Sequence, residues 1–135
     1  MTLNNVYRPA IITGILFAAS AVIIGAFAAH GLKPKMDEAA FQTFETGVKY
    51  QMYHSFALII LGLSKAFFPN KNIHSSSLFF ILGILFFSGS LYVLSLLKMQ
   101  GIVGLGGLGI ITPIGGLCFI TAWLLFLIAV VKTKA

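Results

Sequence analysis

The sequence predicts an all-α membrane protein: an up-down bundle of four transmembrane helices, with a short amphipathic interfacial helix between spans one and two. Three observations predict it. Of 135 residues, 59% are hydrophobic and 9% are charged, against about 25% charged in an ordinary water-soluble domain, so a soluble surface cannot be covered. The apolar residues fall into four stretches close to the ~20 helical residues that cross a hydrocarbon core. Each stretch is bounded by residues that stop a helix or favour the interface.

The first span, 10–29, follows Arg8-Pro9 and ends at His30-Gly31 and Pro34. A secretory signal is the alternative, because Ala26-Phe27-Ala28 has the small-x-small form of a cleavage site. An apolar core of about 20 residues exceeds the roughly 7–15 of a signal, which favours a retained span. Gly14, Ala18, Ala21, Gly25 and Ala28 follow one another at steps of four, three, four and three. They line one helix face, where small residues let backbones approach closely in lipid.

Met36, Ala40, Phe41, Phe44 and Val48 recur at helical spacing, with Asp37 and Glu38 where a helix N-terminus favours negative charge. This segment predicts the interfacial helix; a continuation of the second span into water is the other reading. The second span, 50–68, stops at Pro69-Asn70-Lys71. The third, 77–97, contains Gly83 and ends at Lys98, and the fourth, 110–131, ends at Lys132 and offers Gly115 and Gly116 for packing. No internal repeat or long linker interrupts the pattern, so the whole chain, 1–135, is expected to form one four-span domain.

The formal charge of +6 does not point to nucleic acid, because the nine Lys and Arg residues stand singly between apolar stretches. They suit the ends of membrane spans. With four spans both termini share a side. That side holds Arg8, Lys65, Lys71, Lys132 and Lys134, against Lys33, Lys35, Lys49 and Lys98, a lean toward cytoplasmic termini in a cell membrane. Cys118 lies in an apolar run and is read as a packing residue.

Running the helices up and down brings the polar residues of the spans to one face, opposite the termini. His30 ends span one, Tyr50 and His54 begin span two, Ser88, Ser90 and Tyr92 lie late in span three, and Thr112 opens span four with Pro113. Polar groups at membrane depth are unfavourable unless paired. The set is therefore either an interhelical hydrogen-bond network or a ligand or proton site. Tyr50 and His54 are four apart, as are Ser88 and Tyr92, so each pair shares a helix face.

His30 and His54 are the strong metal ligands of that set, but two imidazoles do not specify a metal. His30 can instead cap the end of its helix, and His74 is read as an interfacial loop residue. Glu45, alone among the acids, could reach His30 or Lys49. Residues 104–109 match G-x-G-x-x-G, but no strand precedes them, so no nucleotide role follows. The run 101–116 holds seven of the chain's fourteen glycines and suits a flexible apolar turn or a partly re-entrant loop. No nucleophile elbow occurs. Neither a cofactor nor an enzymatic activity is expected.

Four motifs, Gly25-Ala26-Phe27-Ala28-Ala29-His30-Gly31-Leu32, Phe44-Glu45-Thr46-Gly47-Val48-Lys49-Tyr50-Gln51-Met52-Tyr53-His54, Phe87-Ser88-Gly89-Ser90-Leu91-Tyr92 and Ile111-Thr112-Pro113-Ile114-Gly115-Gly116, occur in that order across the chain. Together they resemble the YgdD-like family of small membrane proteins, a domain of unknown function (DUF423). The resemblance implies a four-span inner-membrane protein and supplies no activity, substrate or cofactor. Ala28 stands where the family's first motif has a glycine, and the glycine-rich stretch before Thr112 is longer than the family's.

The leading expectation is a non-enzymatic structural, accessory or small-ligand-binding bundle in the lipid bilayer, alone, as a homo-oligomer or with a membrane-protein partner. The alternatives are a small transporter or channel for protons or a small solute, a His-ligated metal protein, and a lipid or quinone binder with a groove between Phe27, Phe87 and Trp123.

Overall fold

The computed structural model describes residues 5–102, 104 and 106–133. Among them the regular structure is entirely helical, in four helices: α1 (Arg8–Lys35), α2 (Glu38–Ser64), α3 (Asn72–Met99) and α4 (Gly106–Lys132). Three of these, α1, α3 and α4, are long and apolar enough to cross a membrane.

Pro9 sits in the first turn of α1, where its missing N–H is no loss. The helix changes to a π turn over Ala28–Leu32 and a final 3-10 turn over Lys33–Lys35. After Met36 the chain turns, and the Asp37 carboxylate accepts from the Ala40 amide at 2.8 Å to start α2. The amphipathic segment is not a separate interfacial helix, since α2 runs unbroken for 27 residues from Glu38 to Ser64. Nothing between Thr43 and Tyr50 breaks a helix apart from Gly47, and that glycine is needed where α2 crosses α3. A Cβ there would lie 2.8 Å from the Tyr92 ring.

Helix α2 stops at Ser64, short of Phe68; turns follow over residues 65–67, and Pro69 keeps Phe68 out of helical backbone. Asn70 then accepts from the Asn72 amide at 3.0 Å and opens α3 five residues ahead of the expected start. In mid-course α3 carries a second π turn, Ile84–Ser88. The glycine-rich run is also more helical than its composition suggests, since α4 already includes Gly106, Gly107 and Gly109. Lipid supplies no partners for free backbone groups, so helix outweighs glycine's poor propensity. Leu105 and Lys134, which took part in the sequence reading, lie outside the described residues.

The bundle pairs α1 with α2 and α3 with α4, and α2 also packs along α3. Two apolar cores result. The larger, nearer the termini, gathers Ala10, Leu58, Leu61, Ile73, Phe80, Ile84, Phe119 and Ala129. The smaller, at the other end, is built from Ala28, Leu32, Phe41 and Phe44, with Tyr92, Leu96 and Met99 against it. Glycines make the close crossings. A Cβ on Gly14 would meet the Ser55 carbonyl at 2.8 Å, one on Gly62 would meet Ile11 at 2.5 Å, and one on Gly115 would collide with the backbone of Phe87. Of the other small residues of α1, Ala21 and Ala28 are buried, whereas Ala18 and Gly25 are half-buried. A Cβ on Gly25 would crowd Val48 at 3.2 Å, whereas one on Gly116 would make ordinary contact with the Phe87 ring at 3.9 Å. The outer faces of α1 and α4 present Ile12, Leu16, Val22, Ile23, Leu117, Ile120, Leu127 and Val131, a surface suited to lipid and not to water.

Candidate functional site

Between the two cores the bundle carries a polar layer, and its centre is Gln51. The side chain is 4% exposed. Its amide nitrogen donates to the Phe17 carbonyl at 2.9 Å and to the Ser20 hydroxyl at 2.8 Å, both on α1. Its amide oxygen accepts from the Tyr92 hydroxyl of α3 at 2.8 Å. One α2 residue thus ties three helices and uses both amide hydrogens. Ser20 passes its own proton to the Phe17 carbonyl at 3.0 Å, and Ser55 donates to the Gln51 carbonyl at 2.6 Å.

His54, one turn further along α2, lies in a different setting. Its Nδ1 donates to the Tyr50 carbonyl at 2.8 Å, which leaves Nε2 as an acceptor facing the Trp123 indole N–H at 3.4 Å. The imidazole lies flat against Phe119, with centroids 3.5 Å apart and planes 8° from parallel. Phe80 meets Trp123 edge-on at 5.1 Å, and Tyr50 packs on Phe87 at 4.6 Å. A neutral histidine in an aromatic box joins α2 to α4 here.

A third group joins α3 to α4. The Ser90 hydroxyl gives its proton to the Phe87 carbonyl at 3.0 Å, so at 2.6 Å it accepts from Thr112. Ser88, wholly buried in the π turn, has no hydrogen-bond partner for its hydroxyl among the described residues.

The seven polar residues named from the sequence therefore do not form one cluster. Tyr92 belongs to the Gln51 network, Tyr50 and His54 to the aromatic box, Ser90 and Thr112 to a hydroxyl pair, and Ser88 stands by itself. His30 is exposed in the π turn near the end of α1 and makes no side-chain hydrogen bond among the described residues. Glu45 pairs with Lys49 at 3.8 Å along its own helix. Among the described residues no group of three or more His, Cys, Asp or Glu side chains could hold a metal ion. Phe27 lies over Gly31 of its own helix, while Trp123 packs near His54 and Phe87 near Phe119, so Phe27 is not among the rings that Trp123 and Phe87 meet.

Gln51 is the residue that the polar reading passed over. It sits three positions before His54 in a stretch with no charge, and a buried amide among apolar neighbours is itself a signal, because it must find partners. The partners of Gln51 and His54, Ser20 and Trp123, depend on which helix faces meet.

The chain's residues 24–116 match the family model described as "Protein of unknown function (DUF423)". It is 42% identical over 122 residues to the UPF0382 membrane protein SH2409 of Staphylococcus haemolyticus, covering 90% of this chain and 94% of that one. It is 39% identical to the UPF0382 membrane protein YwdK of Bacillus subtilis, with 90% and 95% covered. It is 37% identical to the UPF0382 inner membrane protein YgdD of Escherichia coli, with 93% and 88% covered. No solved structure matches it. The apolar outer faces, the three membrane-length helices and these relatives together place the chain in the DUF423 family, as an integral membrane protein of unknown biochemical function.

Proposed function

We propose that the protein is a non-enzymatic accessory bundle of the cell membrane, with four spans and its polar layer acting as an interhelical lock. The observation that carries this reading is Gln51, whose one side chain binds α1 through Phe17 and Ser20 and α3 through Tyr92. The polar groups are mostly turned inward onto one another. The apolar core nearer the termini interposes Leu58, Leu61, Ile73 and Phe80, which argues against the water-lined path that transport needs.

In this reading α2 is the fourth span. Its stretch from Tyr50 to Ser64 carries no charge and reaches about 22 Å, about three-quarters of a ~30 Å hydrocarbon core, so the fourth crossing also draws on the uncharged flank of Ala66 to Phe68 beyond Lys65. Both termini face the cytoplasm, on the excess of basic residues at that end. The outer faces of α1 and α4 serve as contact surfaces for a second copy or another membrane protein.

The test substitutes Gln51→Leu, with Tyr92→Phe as the milder variant. Interhelical hydrogen bonds in membranes contribute about 0.6–1.7 kcal/mol each, so Gln51→Leu is expected to lower the melting temperature in detergent by several degrees, and Tyr92→Phe by less. Proteoliposomes of the natural protein are expected to show no proton flux above empty vesicles. An unchanged melting temperature, or flux that Gln51→Leu abolishes, would overturn the lock.

A further inference from the structure

Two open grooves of nearly equal size lie at opposite ends of the bundle. The first, of about 300 Å³, runs between α2 and α3 past Ala40, Thr43, Leu94, Ser95, Lys98 and Ile102. Its cation is already matched, since the Lys98 ammonium stands 3.9 Å from the Asp37 carboxylate. The second, of about 310 Å³, lies at the termini end and is lined by Val6, Arg8, Ile11, Ile12 and Leu63. Arg8 is its one charged group, is exposed, and belongs to neither ion pair found among the described residues.

The charged side chains that share this end with Arg8 among the described residues are all basic. Asp37, Glu38 and Glu45, the chain's three acids, lie in the connection and first turns of α2 at the far end. Lys65, Lys71 and Lys132 share the end that holds Arg8.

We propose that this second groove binds an anionic phospholipid, with the phosphate on the Arg8 guanidinium and an acyl chain along Ile11, Ile12 and Leu63. The chemistry and the depth agree. A guanidinium presents a planar fork that matches two phosphate oxygens. Arg8 is the first residue of α1 and so stands at headgroup level, while Ile11 and Ile12 follow it one turn, about 5 Å, deeper along the helix. The groove therefore runs from charge to hydrocarbon in the direction that a lipid does. A net anionic lipid is selected over a zwitterionic one because no Asp or Glu side chain lies at this end to accept the headgroup cation, and Lys65, Lys71 and Lys132 at the same end repel it. The proposal rests on the membrane assignment and is independent of the Gln51 lock.

The test is native mass spectrometry of the full-length protein in a mild detergent, titrated with phosphatidylglycerol, with phosphatidylcholine, or with inorganic phosphate alone. Phosphatidylglycerol is expected to be retained over phosphatidylcholine, and inorganic phosphate not to compete. Arg8→Gln should reduce the retained phosphatidylglycerol about fivefold, in line with one basic residue at an anionic surface, and Lys98→Gln should leave it unchanged. A melting curve on each variant separates lost binding from lost folding, and Arg8→Lys should recover part of the retention. Equal retention of the two lipids, an unaffected Arg8→Gln, or an equal loss in Lys98→Gln would overturn the proposal. Displacement of phosphatidylglycerol by inorganic phosphate would do the same, by showing a bare anion site.

Discussion

Gly115 and Gly116 are neighbours with the same side chain, or lack of one, yet they do different things. A Cβ at Gly115 collides with the Phe87 backbone, whereas one at Gly116 only touches the Phe87 ring at 3.9 Å. A backbone cannot turn aside as a side-chain tip can, so Gly115→Ala is expected to destabilise the bundle by about 1–3 kcal/mol. Gly107, on the same helix, meets nothing within 4 Å, and Gly107→Ala is expected to be neutral or stabilising by up to about 1 kcal/mol. Thermal melting of both variants in one detergent decides the matter, and a Gly115→Ala protein as stable as the natural one would contradict the close crossing. Small residues were legible in the sequence as a class. Which of them touch was not, because contact depends on the rotation of each helix about its axis, and apolar residues on every side leave that rotation unmarked. Gln51 shows the same limit from the polar side: its need for partners is visible in the sequence, but Phe17, Ser20 and Tyr92 are 31 to 41 positions away.

Among the elements, the sequence located the helices better than their ends. Pro69 and Asp37 act locally, through backbone sterics and capping, and both mark real boundaries. The junctions that depend on the surroundings were harder to place. Lys49 and Glu45 look like the edge of a membrane span, but a charged side chain leaves the backbone hydrogen bonds of a helix unchanged, so α2 continues through them. Nitroxide scanning of α2 in nanodiscs should therefore show one uninterrupted helical period from residue 38 to residue 64. A phase break near Gly47 would restore the separate interfacial helix. The π turns of α1 and α3 left no mark in the sequence, since each is a displacement of hydrogen bonds within segments whose residues suit an ordinary helix.

At the scale of the whole molecule, composition alone specified the solvent. The exposed surface of α1 and α4 is dominated by Ile, Leu, Val and Phe, and no arrangement of 9% charged residues could have hidden it. On the proposed four-span reading, both ends of the described chain emerge on one side. Single cysteines at residues 5 and 133, in a Cys118→Ala background, are expected to react with a membrane-impermeant maleimide from the same side, and a cysteine at residue 36 from the opposite side. Labelling of 5 and 133 from different sides would remove one span.

The continuity of α2 also gives the molecule a mechanical property. Its first three turns, which carry Glu38, Glu45 and Lys49, belong to the same rigid rod as Gln51 and His54. The same helix carries Phe41 and Phe44, which pack with Ala28 and Leu32 of α1 and with Tyr92 of α3, so its first turns are clamped between two helices, and Gly47 brings it against the Tyr92 ring just beyond them. Displacing these turns would therefore disturb the smaller core and the Gln51 bonds to α1 and α3 as one unit.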